Sequence, residues 1–486
     1  MNKLLTCAIS SKMNLTKQLF TTCLFSTYGF SLIAQGHQKP NILLILADDL
    51  GYKDCGFTGS KSFETPNIDE LARNGMVFSN AYAAAGNSAP SRACLLSGKF
   101  TPRHGVYAVG STTRGPVKKM KLVPVKNNSE LNGSFVTIAE ALKAEGYVTG
   151  LFGKWHLGQS ETTKPEAQGF DVYFDSRKDN PNQKRNEPDD PKGIFSLTDA
   201  AIRFISSHKD KPTLTYLAHH AIHSSLESHP ASLRKFVDKG IDNKLALYAA
   251  CTYDLDESIG KIMEFLKSSG LDQNTLVIFT SDNGATQQSS QEPLRGNKGC
   301  YYEGGIREPF IAFWPNRIKP GTVQNTPIIN IDLYPTFLAA AGNTKVKLDG
   351  ENILPLFFSQ AETTKRDKLF WHFPGYLDNP VIRGRDTMFR TRPVTTMRKG
   401  DWKIHLYHEE WLLDGGKKNL ANNKSIELYN LKDDEGERIN QANVNIQKRD
   451  ELLTDLLMWM KKTSAPMPTL ISDTNKPVSN EGIDEQ

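Results

Sequence analysis

Acidic and basic side chains recur in this chain in a pattern that could handle an oxyanion. Asp48 and Asp49 close the apolar run NILLILA, and Lys154 and His156 lie in GKWHLG. His219, His220 and His223 come after TLTYLA, and Asp282 and Asn283 come after LVIFT in SDNG. Asp48, Asp49, Asp282 and Asn283 offer three carboxylates and one amide oxygen, a set suited to a hard cation such as Ca2+ or Mg2+ rather than to zinc. Lys154, His156, His223 and, further on, Lys298 add positive charge. A cation ringed by Lys and His describes a pocket for a tetrahedral oxyanion, stabilising charge on its equatorial oxygens and on a leaving group. A nucleophile is available in NSAPSRACLLSG, residues 87–98. Pro90 falls where a helix begins, so Ser88 sits just before a helix N-terminus, where free N–H groups favour negative charge. Arg92 lies one turn on, on the same side. Taken alone, Ser-x-Pro reads as a plain N-cap with a solvated arginine.

The elements that must position these residues are strands alternating with helices. Residues 41–47 form a continuous apolar run, as in a strand covered on both faces. Thr65 can cap a helix that opens at Pro66 and stops at Asn74-Gly75. Strands are expected at 76–82, 147–152, 213–218 and 276–280, and helices at 135–145 and 243–269. That alternation implies βαβ units and a mostly parallel sheet, in which ligands sit beyond the carboxyl ends of the strands. The four polar clusters fall at such ends. After about residue 355 the pattern changes: 402–407 and 426–431 read as a hairpin pair and 447–461 as an amphipathic helix. The expected fold is α/β: a large mostly parallel sheet sandwiched by helices over residues 35–358. A smaller C-terminal α+β subdomain follows over 359–463. The Pro-, Asn- and Ser-rich tail, 464–486, is expected to be poorly ordered.

These residues match a family. SAPSRACLLSG, continued by KFTPRHG, resembles the signature of the type I, formylglycine-dependent sulfatases of the alkaline phosphatase superfamily. PNILLILADDLGY, TPNIDELARNGMVFSNAY, GKWHLG, SDNGA, NKGCYYEGGIREPF and ELYNLKDDEGE extend the resemblance over most of the chain. The resemblance implies that Ser88 is oxidised to Cα-formylglycine (3-oxoalanine), whose hydrate attacks sulfur. It implies that Asp48, Asp49, Asp282 and Asn283 hold Ca2+, that Arg92 supports the aldehyde hydrate, and that Lys154 and Lys298 bind sulfate oxygens. His156 matches the base that expels sulfate, and His223 the group that protonates the leaving alcohol, with His219 and His220 as rivals. A serine at the nucleophile position implies a serine-type sulfatase-maturing enzyme as a partner. The gem-diol has a physical purpose: its second hydroxyl, once deprotonated, expels sulfate by C–O cleavage, so water need not attack sulfur a second time.

Composition narrows the rest. Lys+Arg exceeds Asp+Glu by only 59 to 54, which argues against a nucleic-acid binder. The apolar run after Lys17, ending near Ala34, reads as a secretory signal peptide over 1–34. No later stretch is apolar enough to span a membrane, so the protein is expected to be exported, periplasmic or secreted. Cys55, Cys94, Cys251 and Cys300 follow no metal-binding spacing and read as small buried side chains. Two basic stretches suggest a polyanionic substrate: Arg114, Lys118, Lys119, Lys121 and Lys126, and the basic-aromatic segment 370–398. Within the latter, His372, Arg383 and Arg385 are candidate substrate contacts, because rings beside Arg suit sugar faces and sulfate groups. The expected activity is hydrolysis of sulfate esters on a sulfated glycan, carrageenan or alternatively a glycosaminoglycan. A phosphoester hydrolase using Ser88 directly and a non-catalytic glycan-binding relative remain alternatives.

Overall fold

The structure, a computed structural model, describes residues 39–177 and 188–478; the expected leader at 1–34 lies outside them. Eight strands build the main sheet: β1 (Asn41–Ala47), β2 (Met76–Phe78), β3 (Val148–Gly153), β4 (Val172–Phe174), β5 (Thr213–Ala218), β6 (Thr275–Ser281), β7 (Phe310–Phe313) and β8 (Thr322–Gln324). Their order across the sheet is β8-β2-β7-β6-β1-β5-β3-β4. Only β7 runs antiparallel to its neighbours. β1 is apolar throughout because both faces are covered. Ile42, Leu44 and Leu46 join a core with Ala93 and Leu96 of helix Ser88–Ser97 and Leu142 of helix Ile138–Ala144. Leu43, Ile45 and Ala47 face the other way, onto helices Pro66–Asn74, Ile194–Ser207 and Asn243–Ser268. The expected α/β sandwich is therefore present.

Three details differ from the sequence expectation. Helix Pro66–Asn74 is not capped by Thr65: Asp256 of the Asn243–Ser268 helix accepts from the backbone N–H groups of Asn67 (3.1 Å) and Ile68 (2.8 Å). The stretch 76–82 is two strands rather than one. After β2 the chain turns at Ser79 and Asn80, both of which bond to Asn325. Ala81–Tyr82 then joins a separate sheet with Arg307–Glu308 and Ile328–Ile329. The tail is not loose up to residue 478, since Thr469–Leu470 pairs antiparallel with Leu122–Val123.

The C-terminal part is a four-stranded antiparallel meander: β9 (Lys368–Phe373), β10 (Val394–Lys399), β11 (Trp402–Tyr407) and β12 (Ile426–Asn430). The expected hairpin pair is β11 with β12, and both ends of the basic-aromatic segment 370–398 turn out to be strands. Helix Ile446–Thr463 covers this sheet, with Trp459 stacked on Phe370 at 4.7 Å between ring centroids. The Trp371 indole N–H donates to the Ala83 carbonyl (2.8 Å), tying the meander to the segment just before Ser88. All four described cysteines are buried and unbridged. No helix among the described residues is long and apolar enough to cross a membrane.

Candidate active site

Parallel register brings distant residues to one edge of the sheet. The N–H of His219 donates to the Leu46 carbonyl (3.0 Å), that of Asp282 to Ala47 (3.1 Å) and that of Lys154 to Ala218 (2.8 Å). The residues just past β1, β6, β5 and β3 thus meet as neighbours. The turn after β1 is held by Asp54. Its carboxylate accepts from the Gly51 N–H, the Tyr248 hydroxyl (2.6 Å), the Ser289 hydroxyl and the Gln291 amide (2.8 Å). Asp49 and His156 both adopt positive φ, 66° and 64°. Non-glycine residues rarely accept that conformation, and it is found where a site over-determines the backbone.

Asp48, Asp49 and Asp282 are fully buried, and one carboxylate oxygen from each lies within 4.8 Å of the others. Asn283 completes the group: its Nδ2 donates to Asp49 (2.7 Å), and its Oδ1 lies 3.1 Å from the Ser88 hydroxyl. Ser88 is the first residue of its helix, after Asn87, and its Oγ is also 3.2 Å from Asp48. Cations stand around this centre. Arg92 donates through Nε (2.9 Å) and Nη2 (2.7 Å) to Asp282, and through Nη1 to the Lys154 carbonyl. Lys154 binds Asp48 (2.7 Å), Lys298 binds Asp49 (3.0 Å), and the His223 Nε2 lies 3.9 Å from Asp49.

The electrostatics follow. Burial alone would raise the Asp48 carboxyl, but Lys154, His223, Arg92 and Lys298 outweigh it and hold that group well below the usual range. Asp282 moves the other way: burial and then Asp48 raise it, although Arg92 binds it. His156 is pushed well down by burial and by Lys154 and Arg92, so its imidazole is neutral. A neutral imidazole beside two cations can accept a proton but is poorly placed to hold one. His223 is lowered by burial and partly restored by Asp48 and Asp49.

Oxygens around one calcium at 2.3–2.6 Å lie no more than about 5 Å apart, so the three convergent carboxylates fit a single hard cation, and the Asn283 Oδ1, 3.1 Å from the Ser88 hydroxyl, is a further oxygen donor beside them. Three carboxylates against Arg92, Lys154 and Lys298 leave no formal excess. A divalent ion would make the site net positive, matched to an anionic ester.

Ser88, Arg92, Lys154, His223, Lys298 and the four oxygen donors are thus brought together, and His156 lies close enough to feel their charges. Of the three histidines after β5, His220 is turned to Asp175 (2.8 Å), both ring nitrogens of buried His219 lack partners among the described residues, and His223 faces the cluster, 3.9 Å from Asp49.

His372 and Arg385 are not brought to it. His372 is buried within β9. Its Nε2 donates to the Pro466 carbonyl (2.9 Å) and its Nδ1 meets the Thr395 hydroxyl (2.8 Å), so it has no group left for a substrate. Arg385 pairs with Glu410 (2.8 Å) and Glu427 (3.2 Å) and lies on the Tyr407 ring. It lines a cavity of about 650 Å³ whose walls include none of the residues around Ser88. Arg383 lies 3.5 Å from Glu292. Two contributors carry no local signal. Asp54 finds its hydroxyl partners, Tyr248 and Ser289, 194 and 235 positions away. Glu308, inside the REPF motif, is buried next to the acids, with both carboxyl oxygens unpartnered among the described residues.

Residues 40–343 match the family described as Sulfatase, and residues 296–463 match "N-sulphoglucosamine sulphohydrolase, C-terminal". The chain is 32% identical to a sulfatase of Formosa agariphila over 88% of this chain and 90% of that protein. It is 33% identical to the N-acetylgalactosamine-6-sulfatase of Mus musculus over 77% of this chain and 74% of that one. Among solved structures, Ps i-CgsB in complex with k-i-k-neocarrahexaose superposes with a TM-score of 0.68 at 30% identity, covering 90% of this chain and 96% of that one.

Proposed function

Because the chain belongs to the sulfatase family and is a sulfuric ester hydrolase of the alkaline phosphatase-like superfamily, we propose that it removes sulfate from a sulfated glycan, using an oxidised Ser88 and Ca2+. The observation that carries this reading is the position of Ser88. Its Oγ is buried at a helix start, 3.1–3.2 Å from two oxygen donors of a hard-cation set, inside a ring of Lys154, Lys298, His156 and His223. Asp48, Asp49, Asp282 and Asn283 would hold the ion, which supplies positive charge for the sulfate oxygens. Lys154 and Lys298 add to that charge.

Oxidation of Ser88 to Cα-formylglycine removes two hydrogens, the task assigned to a serine-type maturing enzyme. One hydroxyl of the aldehyde hydrate would give its proton to Asp48, whose carboxylate lies 3.2 Å from the Ser88 Oγ, as it attacks sulfur; the sulfur–ester oxygen bond would break and the oxygen depart as an alcohol, protonated by His223. Neutral His156 then takes the proton of the second hydroxyl. The carbon–oxygen bond to sulfate breaks and the aldehyde returns. Arg92, fixed on Asp282, supports the hydrate. The carrageenan oligosaccharide named with Ps i-CgsB favours a galactan sulfate as substrate, and the N-acetylgalactosamine-6-sulfatases favour an amino-sugar sulfate as the second reading. Either glycan lies outside the cell, consistent with export directed by residues 1–34.

The test is protein co-produced with a serine-type maturing enzyme, assayed for sulfate release from a panel of sulfated glycans. The Ser88 peptide is weighed in parallel. A peptide lighter by two hydrogens together with released sulfate is the expected result. Sulfate release from protein whose Ser88 remains unmodified would overturn the chemistry.

A further inference from the structure

Five arginines lie between residues 383 and 398. Four have side-chain partners. Arg383 lies against Glu292, Arg385 binds Glu410 and Glu427, Arg392 binds Asp386 and Glu409, and Arg398 binds Asn80 and Tyr82. Arg390 has only backbone partners among the described residues. Its Nε donates to the Asn379 carbonyl (3.1 Å), and its Nη1 makes a long contact to the Lys298 carbonyl (3.5 Å). Two carbonyls fix the direction of the guanidinium and leave its charge uncompensated.

That charge lies at the rim of the Ser88 pocket. Lys298 precedes Gly299, whose φ of +87° suits glycine. A Cβ built there would fall 2.4 Å from the Arg390 Cδ and 3.4 Å from the Asn87 Oδ1. The arginine shaft and the Asn87 amide therefore flank the same glycine. Asn87 directly precedes Ser88, and its side chain makes no capping bond. The other anchor, Asn379, belongs to a loop whose Pro380 carbonyl accepts from Gln287 (3.3 Å), four residues past Asn283. Arg390 is half-buried, so solvent screens it only in part.

We propose that Arg390, with the Asn87 amide beside it, forms an anionic subsite at the rim of the Ser88 pocket for a second oxyanion of the substrate. This rests on the glycan-sulfatase reading and deepens it: the preferred substrate carries another sulfate or a carboxylate near the ester being cleaved. A guanidinium held at its edge by carbonyls presents its remaining N–H groups as a fork that matches either anion.

The test measures binding, so it does not depend on oxidation of residue 88. The Ser88→Ala protein, in calcium buffer, is titrated calorimetrically with three hexasaccharides. One carries a single sulfate per disaccharide, one carries two, and one carries a sulfate and a uronate carboxylate. The expected result is at least about tenfold tighter binding of one or both doubly anionic sugars. A gain confined to one of them supports the subsite and names its anion. Arg390→Gln on the same background removes the gap and Arg390→Lys retains part of it. Equal affinity for all three sugars, absence of binding by all three, or an equal loss on all three in Arg390→Gln would overturn the proposal. The last of these would reduce Arg390 to a brace for the Lys298 loop. Failure of glycan sulfate release in the activity assay is a separate result and bears on the function alone.

Discussion

Two of the places where charge is buried among the described residues are assembled in opposite ways. Beside Ser88, three carboxylates converge within 4.8 Å and the cations Arg92, Lys154 and Lys298 stand around the outside. At the seam between the catalytic part and the C-terminal meander, the cation is in the middle. Lys403, completely buried, lies between Glu303 (2.9 Å) and Glu437 (3.0 Å). Tyr82 binds the other Glu303 oxygen (2.8 Å), and the Glu303 N–H binds the other Glu437 oxygen (2.6 Å). The seam carries its own central cation on a side chain. The Ser88 centre gathers three acids and binds them from separate side chains, Arg92 on Asp282, Lys154 on Asp48 and Lys298 on Asp49. A tethered cation gives a permanent joint, whereas convergent acids with peripheral cations suit an exchangeable divalent ion and an anionic substrate.

Two substitutions should separate the Ser88 centre from the seam most strongly. Ser88→Ala removes a small hydroxyl from the site and is expected to lower sulfate release by at least about 10⁴-fold. The thermal midpoint should remain close to that of the parent, because the substitution removes one hydroxyl and no ion pair. Retained turnover in a calibrated sulfate assay would remove Ser88 from its role. Lys403→Met should do the reverse. Two buried glutamates lose their shared cation, a type of change that costs about 3–5 kcal/mol. Chemical denaturation should show that loss, with metal content per folded molecule unchanged.

Chelation sharpens the contrast further. Calcium at about 100 times its dissociation constant stabilises the folded state by about 2.7 kcal/mol if it binds only there. Differential scanning fluorimetry with and without chelator should show that shift in the parent and in Lys403→Met alike, since the seam holds no exchangeable ion. Its disappearance in Asp49→Asn would tie it to the acidic centre. An unchanged midpoint in the parent on chelation would contradict the reading of the acids as a cation site.

What the sequence revealed follows the same division. Asp48, Asp49, Lys154, Asp282 and Asn283 were legible because each stands immediately after an apolar strand, and parallel strands bring such ends together. Ser88 and Arg92 were legible through their spacing on one helix. The seam was not legible. Glu303 and Lys403 are separated by 100 positions, and neither lies in a pattern that names the other. His372 and the arginines near it were expected at the substrate because they accompany aromatic rings. Strand alternation instead turns His372 inward, toward Thr395 and the Pro466 carbonyl. The break at Ser79-Asn80 and the capping of the Pro66 helix by Asp256 depend likewise on partners far along the chain.

Arg307 and Glu308 share a two-residue strand yet serve different clusters. Arg307 reaches Glu303 at the seam (3.8 Å), while Glu308 lies near Asp282, Asp49 and Asp54. Burial first, and then those acids, raise the Glu308 carboxyl well above its usual value, and neither of its oxygens has a hydrogen-bond partner among the described residues. The folded protein therefore binds a proton here that the unfolded chain gives up once pH exceeds the ordinary glutamate value of about 4.3. Stability from this proton is complete below that value and falls as pH rises toward the folded value, by at most about 1.4 kcal/mol per pH unit. Glu308→Gln keeps the shape and removes the titration. In chelator at pH 4.5 the variant and parent should agree within about 1 kcal/mol in urea unfolding. Between pH 5 and 6 the parent should lose ground to the variant at about that slope. Parallel stability curves across this range would mean that Glu308 is charged in the folded state, and the acidic centre would then need a further compensating cation on this side of the sheet.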